Sequence, residues 1–252
     1  MYFDTHCHIS KEYYENIDLL IKENKEARVD KIVISGCDKQ SIKESITIAS
    51  KYSSIYLSLG YHPNSTEFVG VKELKLLESL LVNTSKVVAL GEIGLDYYWE
   101  EETKNKQKDM FRKQMKLAEQ LNLPVVIHSR NSSEDTIEIL KEFNCKGIIH
   151  CFTENLETAK KYIELGYKLG IGGILTFKNS ELREVIKEIS LEHIVLETDA
   201  PYLAPSPFRG KQNSSKYIPI IAKEIANIKE IEEEEVSRIL YNNSLNLFDL
   251  KK

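Results

Sequence analysis

Short apolar runs rich in β-branched residues alternate along this chain with longer segments that mix apolar and charged residues at helical spacing. The first run, Phe3 to Ile9, reads as a strand, and Lys11 to Lys25, with Leu19, Leu20 and Ile21 set among charges, reads as a helix. The alternation then continues. Strands are expected over residues 31–35, 55–59, 87–90, 124–127, 147–149, 167–171 and 194–196. Helices are expected over 40–52, 71–82, 104–121, 134–143, 156–165 and 181–189, with two closing helices at 218–226 and 234–248. The strands are apolar on both faces, as parallel strands covered on both sides must be. Eight such units in 252 residues match a closed parallel barrel. The predicted fold class is therefore α/β, a (β/α)8 TIM barrel forming a single domain over residues 1–252. An open doubly wound sheet is the alternative, but no Gly-x-Gly-x-x-Gly follows the first strand.

Alternate side chains on a strand share a face. In Phe3-Asp4-Thr5-His6-Cys7-His8-Ile9 the imidazoles of His6 and His8 then point the same way, about 6–7 Å apart along the chain, and Cys7 points into packing. Polar residues recur where later strands end: His62 after the third, Glu92 after the fourth, His128 after the fifth, His150 after the sixth and Asp199 after the eighth. In a parallel barrel these ends form one rim, where active sites are built. The remaining histidine, His193, precedes the eighth strand on the opposite rim and reads as a surface or packing residue. Singly, each rim residue has an ordinary structural explanation. His128 can cap a helix, His150 can be a satisfied core histidine, and Glu92 and Asp199 can pair with Arg130 or Arg209. Core packing, however, has no reason to gather them on one rim. Four imidazoles and two carboxylates (His6, His8, His128, His150, Glu92, Asp199) exceed one four-coordinate zinc site. They suit two divalent cations sharing a carboxylate, about 3.5–4 Å apart. Ligand softness favours Zn, Mn, Fe or Co over Mg.

Composition narrows the picture. A net charge of −5 and the lack of any long basic run exclude a general basic coat for nucleic acid. Four cysteines without a Cys-x-x-Cys pair are expected to be reduced core thiols, as in a cytoplasmic protein. The chain enters its first strand with no basic or apolar leader, and no apolar run approaches a membrane span.

Taken together, the motifs resemble the TatD family of metal-dependent deoxyribonucleases, within the wider amidohydrolase-like barrels, over nearly the whole chain. They are Phe3-Asp-Thr-His-Cys-His8, Gly60-Tyr-His-Pro63, Gly91-Glu-Ile-Gly-Leu-Asp-Tyr97, Leu123-Pro-Val-Val-Ile-His-Ser-Arg130, His150-Cys-Phe-Thr153, Leu196-Glu-Thr-Asp-Ala-Pro-Tyr-Leu-Ala-Pro205 and Arg209-Gly-Lys211. The resemblance implies that His6, His8, Glu92 and Asp199 hold one ion, and that Glu92 bridges to a second held by His128 and His150. Mg or Mn is the family's usual metal. It also implies that His62 and Arg209 sit beside the substrate phosphate. The expected reaction is hydrolysis of DNA phosphodiesters by a two-metal activated water, 3′ to 5′ on single-stranded DNA, by a monomer. Glu92, Asp199 and His62 are the expected catalytic residues, with Asp199 orienting or deprotonating the water. His62, Arg130, Arg209 and Trp99 are expected to bind substrate. Trp99, the only Trp, either stacks on a base or packs its loop down. Asp4 is expected to partner a non-ligating ring nitrogen. Lys104, Lys106, Lys108, Arg112 and Lys113 read as a solvated helix face with a minor part in guiding a strand. One departure from the family pattern is Ser214-Ser215, where an acidic residue and a proline are usual; it is expected to affect the substrate mouth and not the metals. An ester or amide hydrolase, such as a D-aminoacyl-tRNA deacylase, is the alternative for the same site. Glu92 in place of a strand-four Lys leans against the carbamate-bridged amidases. A non-catalytic binding protein on a decayed barrel would lack ligands, and none is missing.

Overall fold

The computed structural model describes residues 1–98 and 101–250. Its strands β1 (Tyr2–Cys7), β2 (Val29–Gly36), β3 (Ile55–Leu59), β4 (Val87–Asp96), β5 (Val125–Arg130), β6 (Gly147–Ile149), β7 (Tyr167–Ile171) and β8 (Ile194–Leu196) pair in parallel in chain order. Helices α1 (Ile17–Glu26), α2 (Lys39–Ala49), α3 (Val71–Asn83), α4 (Lys104–Leu121), α5 (Ser133–Leu140), α6 (Leu156–Glu164), α7 (Leu182–Glu188), α8 (Ile218–Lys229) and α9 (Glu233–Leu247) connect and cover them. This is the predicted single-domain TIM barrel. It closes through loop rather than strand: His8 N–H donates to Ala200 O at 2.6 Å and Asp199 N–H to His6 O at 3.1 Å, with one bridge between Cys7 and Ala200. No helix among the described residues is long and apolar enough to cross a membrane.

The strands divide their length between packing and chemistry. Phe3, Val33, Ala89, Val126, Ile148 and Val195 form one apolar cluster with Tyr241, Leu245, Leu247 and Phe248 at the end of the chain, so α9 plugs the N-terminal mouth of the barrel. Two residues further along, the same faces of β2, β5, β6 and β8 carry Ser35, His128, His150 and Glu197. These four strands are thus apolar below and polar at or just past their upper ends.

Two element boundaries differ from the sequence reading by more than the three residues or fewer seen elsewhere. Helix α1 starts at Ile17 rather than Lys11, because the Asn16 side chain accepts from Leu19 N–H at 2.9 Å and caps it there. Strand β4 runs through Gly91 to Asp96 and stays paired with β5 out to Asp96 and Arg130. Gly94 makes this possible. Its φ is +142°, and a Cβ there would lie 2.0 Å from the His128 carbonyl oxygen, so the backbones of β4 and β5 approach as only glycine allows.

Candidate metal centre

At the C-terminal rim the two histidines of the first strand converge more tightly than strand spacing alone requires. Their Nε2 atoms are 3.2 Å apart, and His8 lies just beyond the end of β1. Glu92, buried at the level of both, turns its two oxygens in different directions. Oε2 lies 3.4 Å from His6 Nε2 and 3.7 Å from His8 Nε2. Oε1 lies 2.8 Å from His128 Nδ1, 3.8 Å from His150 Nε2 and 3.5 Å from His62 Nε2. Asp199 Oδ1 stands over the same cluster, 3.4 Å from His8, 3.6 Å from His6 and 3.8 Å from His150. The six residues predicted as ligands are therefore brought together.

The donor set fits divalent cations. Two Nε2 atoms facing each other can share only one proton between them, yet both also face carboxylate oxygens. The groups His6–His8–Glu92, His6–His150–Asp199 and Glu92–His128–His150 each place their candidate ligand atoms within 4.8 Å of one another. Burial pushes the His6 imidazole well below its usual range, and the charge of His150 adds to this. Burial, then His128, pushes His62 down to about 4. Neutral imidazoles with a free lone pair are the form that ligates metal. Burial alone would raise the Glu92 carboxyl, but His150, His62 and His6 together hold it well below the usual carboxylate range. His150 goes the other way: burial opposes its charge, but Glu197, Glu92 and Asp199 push it up to about 9. A cation there competes with that proton.

The backbone is bent to place these groups. Cys151 and Asp199 have left-handed φ values of 47° and 55°, a conformation that costs a non-glycine residue on the order of 1–3 kcal/mol. Cys151 N–H is held by Glu197 Oε1 at 2.6 Å, and Asp199 N–H by the His6 carbonyl.

Known proteins similar to this chain give its family. The profile of the TatD related DNase family matches residues 3–249. The chain belongs to the TatD family. An uncharacterized metal-dependent hydrolase of Bacillus subtilis (strain 168), YabD, is 39% identical over 253 residues, covering 98% of this chain and 99% of YabD. A second uncharacterized metal-dependent hydrolase, YcfH of Escherichia coli (strain K12), is 35% identical over 98% of this chain and 95% of its own length. The crystal structure of YjjV, a TatD homolog from Escherichia coli K12, matches with a TM-score of 0.94 at 29% identity, covering 99% of this chain and 98% of that one. The protein is a metal-dependent hydrolase.

Around the candidate ligands of this TatD barrel stand residues that the sequence reading passed over. Asp96 Oδ2 lies 3.0 Å from His128 Nε2, which leaves Nδ1 as the atom facing Glu92. Glu197, fully buried, lies 3.0 Å from His150 Nδ1, a charge contact not aligned as a hydrogen bond, and Nε2 faces the cluster. The Ser35 hydroxyl lies 3.0 Å from His6 Nδ1. Partners of this kind fix which nitrogen of an imidazole is presented to a metal. A signal for two of them was present in the sequence: Glu197-x-Asp199 repeats the spacing of His6-x-His8, and Asp96 follows Glu92 at an even interval. Glu197→Gln keeps the shape but weakens the grip on His150, and metal affinity should fall about 10-fold. Titration calorimetry with Mn or Zn checks this, and unchanged affinity would remove Glu197 from the site.

Other expectations are corrected. Asp4 is not a ring partner: its carboxylate accepts from Thr198 Oγ1 at 2.6 Å, Thr198 N at 3.0 Å and His6 N at 3.3 Å, tying the loop after β8 to β1. Cys37 and Cys151 are not core thiols but line the cavity, with Cys37 Sγ 3.5 Å from Glu92 Oε2. Ser214 and Ser215 are buried and do not line the cavity. Arg130 does line it, its guanidinium 3.9 Å from the centre of the Tyr98 ring. Arg209 does not: it is exposed and lies 4.4 Å from the Phe177 ring. Trp99 lies outside the described residues. Along α4, Lys106, Lys108, Arg112 and Lys113 are engaged by Glu67, Asp135, Glu142 and Asp109, as a solvated ion-paired face.

Proposed function

We propose that this TatD-family hydrolase is a deoxyribonuclease that removes nucleotides from the 3′ end of single-stranded DNA at a two-cation site. The observation that carries the reading is Glu92, whose Oε2 serves His6 and His8 while Oε1 serves His128 and His150. That is the disposition of a carboxylate shared by two ions. His6, His8 and Asp199 complete the first set, and His128 and His150 the second. Divalent ions bound there supply positive charge to the phosphate and acidify an attacking water.

The protein's own groups do the remaining work. Asp199 is the more exposed of the two carboxylates, at 16% against 4% for Glu92, so its side chain reaches the cavity and would accept the water's proton. His62 Nδ1 accepts from Asn64 N–H at 3.2 Å, which puts the proton of the neutral ring on Nε2. That N–H, directed toward the centre, donates to a phosphate oxygen. Arg130 on the far wall binds the phosphate that follows. The cavity holds about 1000 Å³, room for a nucleotide rather than a duplex.

The test is cleavage of 5′-labelled and 3′-labelled single-stranded DNA by chelated protein resupplied with each divalent metal in turn. A ladder shortening from the 3′ end, seen only with metal, is expected. Hydrolysis of an aminoacyl-tRNA ester with no DNA cleavage under any metal would overturn the reading in favour of acyl chemistry at the same centre.

A further inference from the structure

The cavity wall beside β1 and β8 carries two tyrosines that the metal site does not use. Tyr202 follows Asp199 by three residues, and its N–H donates to the Asp199 carbonyl at 2.9 Å. The Asn213 amide donates to the carbonyls of Thr198 at 2.8 Å and Tyr202 at 2.6 Å, so the turn from ligand to ring is tied at both ends. Tyr13 comes from the loop after β1. The two phenol hydroxyls hydrogen-bond to each other at 2.7 Å, with ring centres 5.9 Å apart and planes at 72°.

This pairing decides what the wall offers. With the hydroxyls engaged by each other, the polar ends are satisfied and the rings are fixed in place. Tyr202 remains 49% exposed, lines the cavity, and has its ring centre 6.3 Å from that of His8. A half-exposed ring held rigid beside a ligand presents an apolar flat face to whatever occupies the site.

Charge selects the occupant. Glu12, Asp38 and Glu44 line the same flank, after β1 and β2. Among the described lining residues the Lys or Arg is Arg130 alone, across the barrel after β5. A phosphate chain is repelled from the Tyr202 flank and drawn toward Arg130. A neutral planar group is what the Tyr202 flank accepts, and in a nucleotide strand that group is a base.

We infer that Tyr202, braced by Tyr13, is the stacking platform for the base of the terminal nucleotide being released, with the rest of the strand leaving toward Arg130. This rests on the nuclease reading above and adds the direction of the strand and a tolerance for all bases, since each has a face to stack.

The test uses the metal-loaded enzyme and two single-stranded oligonucleotides, one with an ordinary 3′-terminal residue and one whose 3′-terminal residue is abasic. For the wild type, removing the base should raise KM about 10-fold and leave kcat within about 3-fold. Tyr202→Ala should raise KM by the same factor on the ordinary strand and leave the abasic strand unaffected, because the lost contact is already missing. Tyr202→Phe keeps the ring but loses the hydroxyl bond to Tyr13, so it should raise KM on the ordinary strand by less than Tyr202→Ala does and leave the abasic strand within about 3-fold. A residue that only supports the loop would lower kcat on both strands alike. Equal KM for the two strands in the wild type would overturn the inference without relying on any variant, and so would a Tyr202→Ala loss undiminished on the abasic strand. Cleavage of neither strand would remove the nuclease reading and this inference together, whereas equal cleavage of both removes the inference alone.

Discussion

Glu92→Ala is expected to lower turnover by at least about 100-fold and to abolish tight binding of both ions, since a shared carboxylate supports the charge at two positions at once. Among the described residues no other carboxylate faces His6, His8 and the Nδ1 of His128 together. Asp199 approaches the cluster from the other side, within 3.8 Å of His150, but it is not paired with His128, whose Nδ1 has Glu92 as its partner at 2.8 Å. Removing Glu92 also leaves buried imidazoles without their counter-charge. His193→Ala is the control. It lies before β8 on the opposite rim, paired only with Glu192 at 3.5 Å among the described residues, and should leave turnover within about 2-fold. Steady-state kinetics with metal titration distinguishes the two variants. Similar losses in both would place the active rim at the wrong end of the barrel.

Gly94→Ala is expected to destabilise the fold by about 3 kcal/mol or more, through a left-handed φ that alanine resists and a Cβ driven into backbone. The contact is with the His128 carbonyl oxygen at 2.0 Å, which no side-chain rearrangement relieves. For a chain of this size the loss corresponds to a fall in Tm of roughly 6–12 °C. Because the displaced backbone carries His128, affinity for the second ion should fall with it. Calorimetric melting with and without metal measures both effects. An unchanged Tm would mean that β4 and β5 do not approach as closely as described.

Glu92 and Gly94, two residues apart on β4, show what the sequence made legible and what it did not. The barrel was readable because most strands are short, apolar and stopped by a polar residue or a glycine, a local pattern. The six candidate ligands were readable because they fall at or near those stops. Asp96 was missed because Gly91 looks like the end of a strand, whereas β4 continues past it and Gly94 carries it close to β5. Glu197 was missed because its place depends on a neighbour distant in sequence: Gly170 on β7 leaves the space its carboxylate fills, and a Cβ there would lie 2.1 Å from Oε2. The stacking of Arg209 on Phe177 and the tie from Asp4 to Thr198 are likewise contacts across the fold. Spacing along the chain carries no trace of these last two pairings.

The central claim is that Glu92 is shared by two ions. Elemental analysis of protein freed of metal and reconstituted with Mn or Zn tests it most directly. The account predicts two ions per chain in the wild type, falling to one or fewer when His128 and His150 are both replaced by Ala. Saturation at one ion per chain, with His128 and His150 dispensable for binding it, would contradict the account.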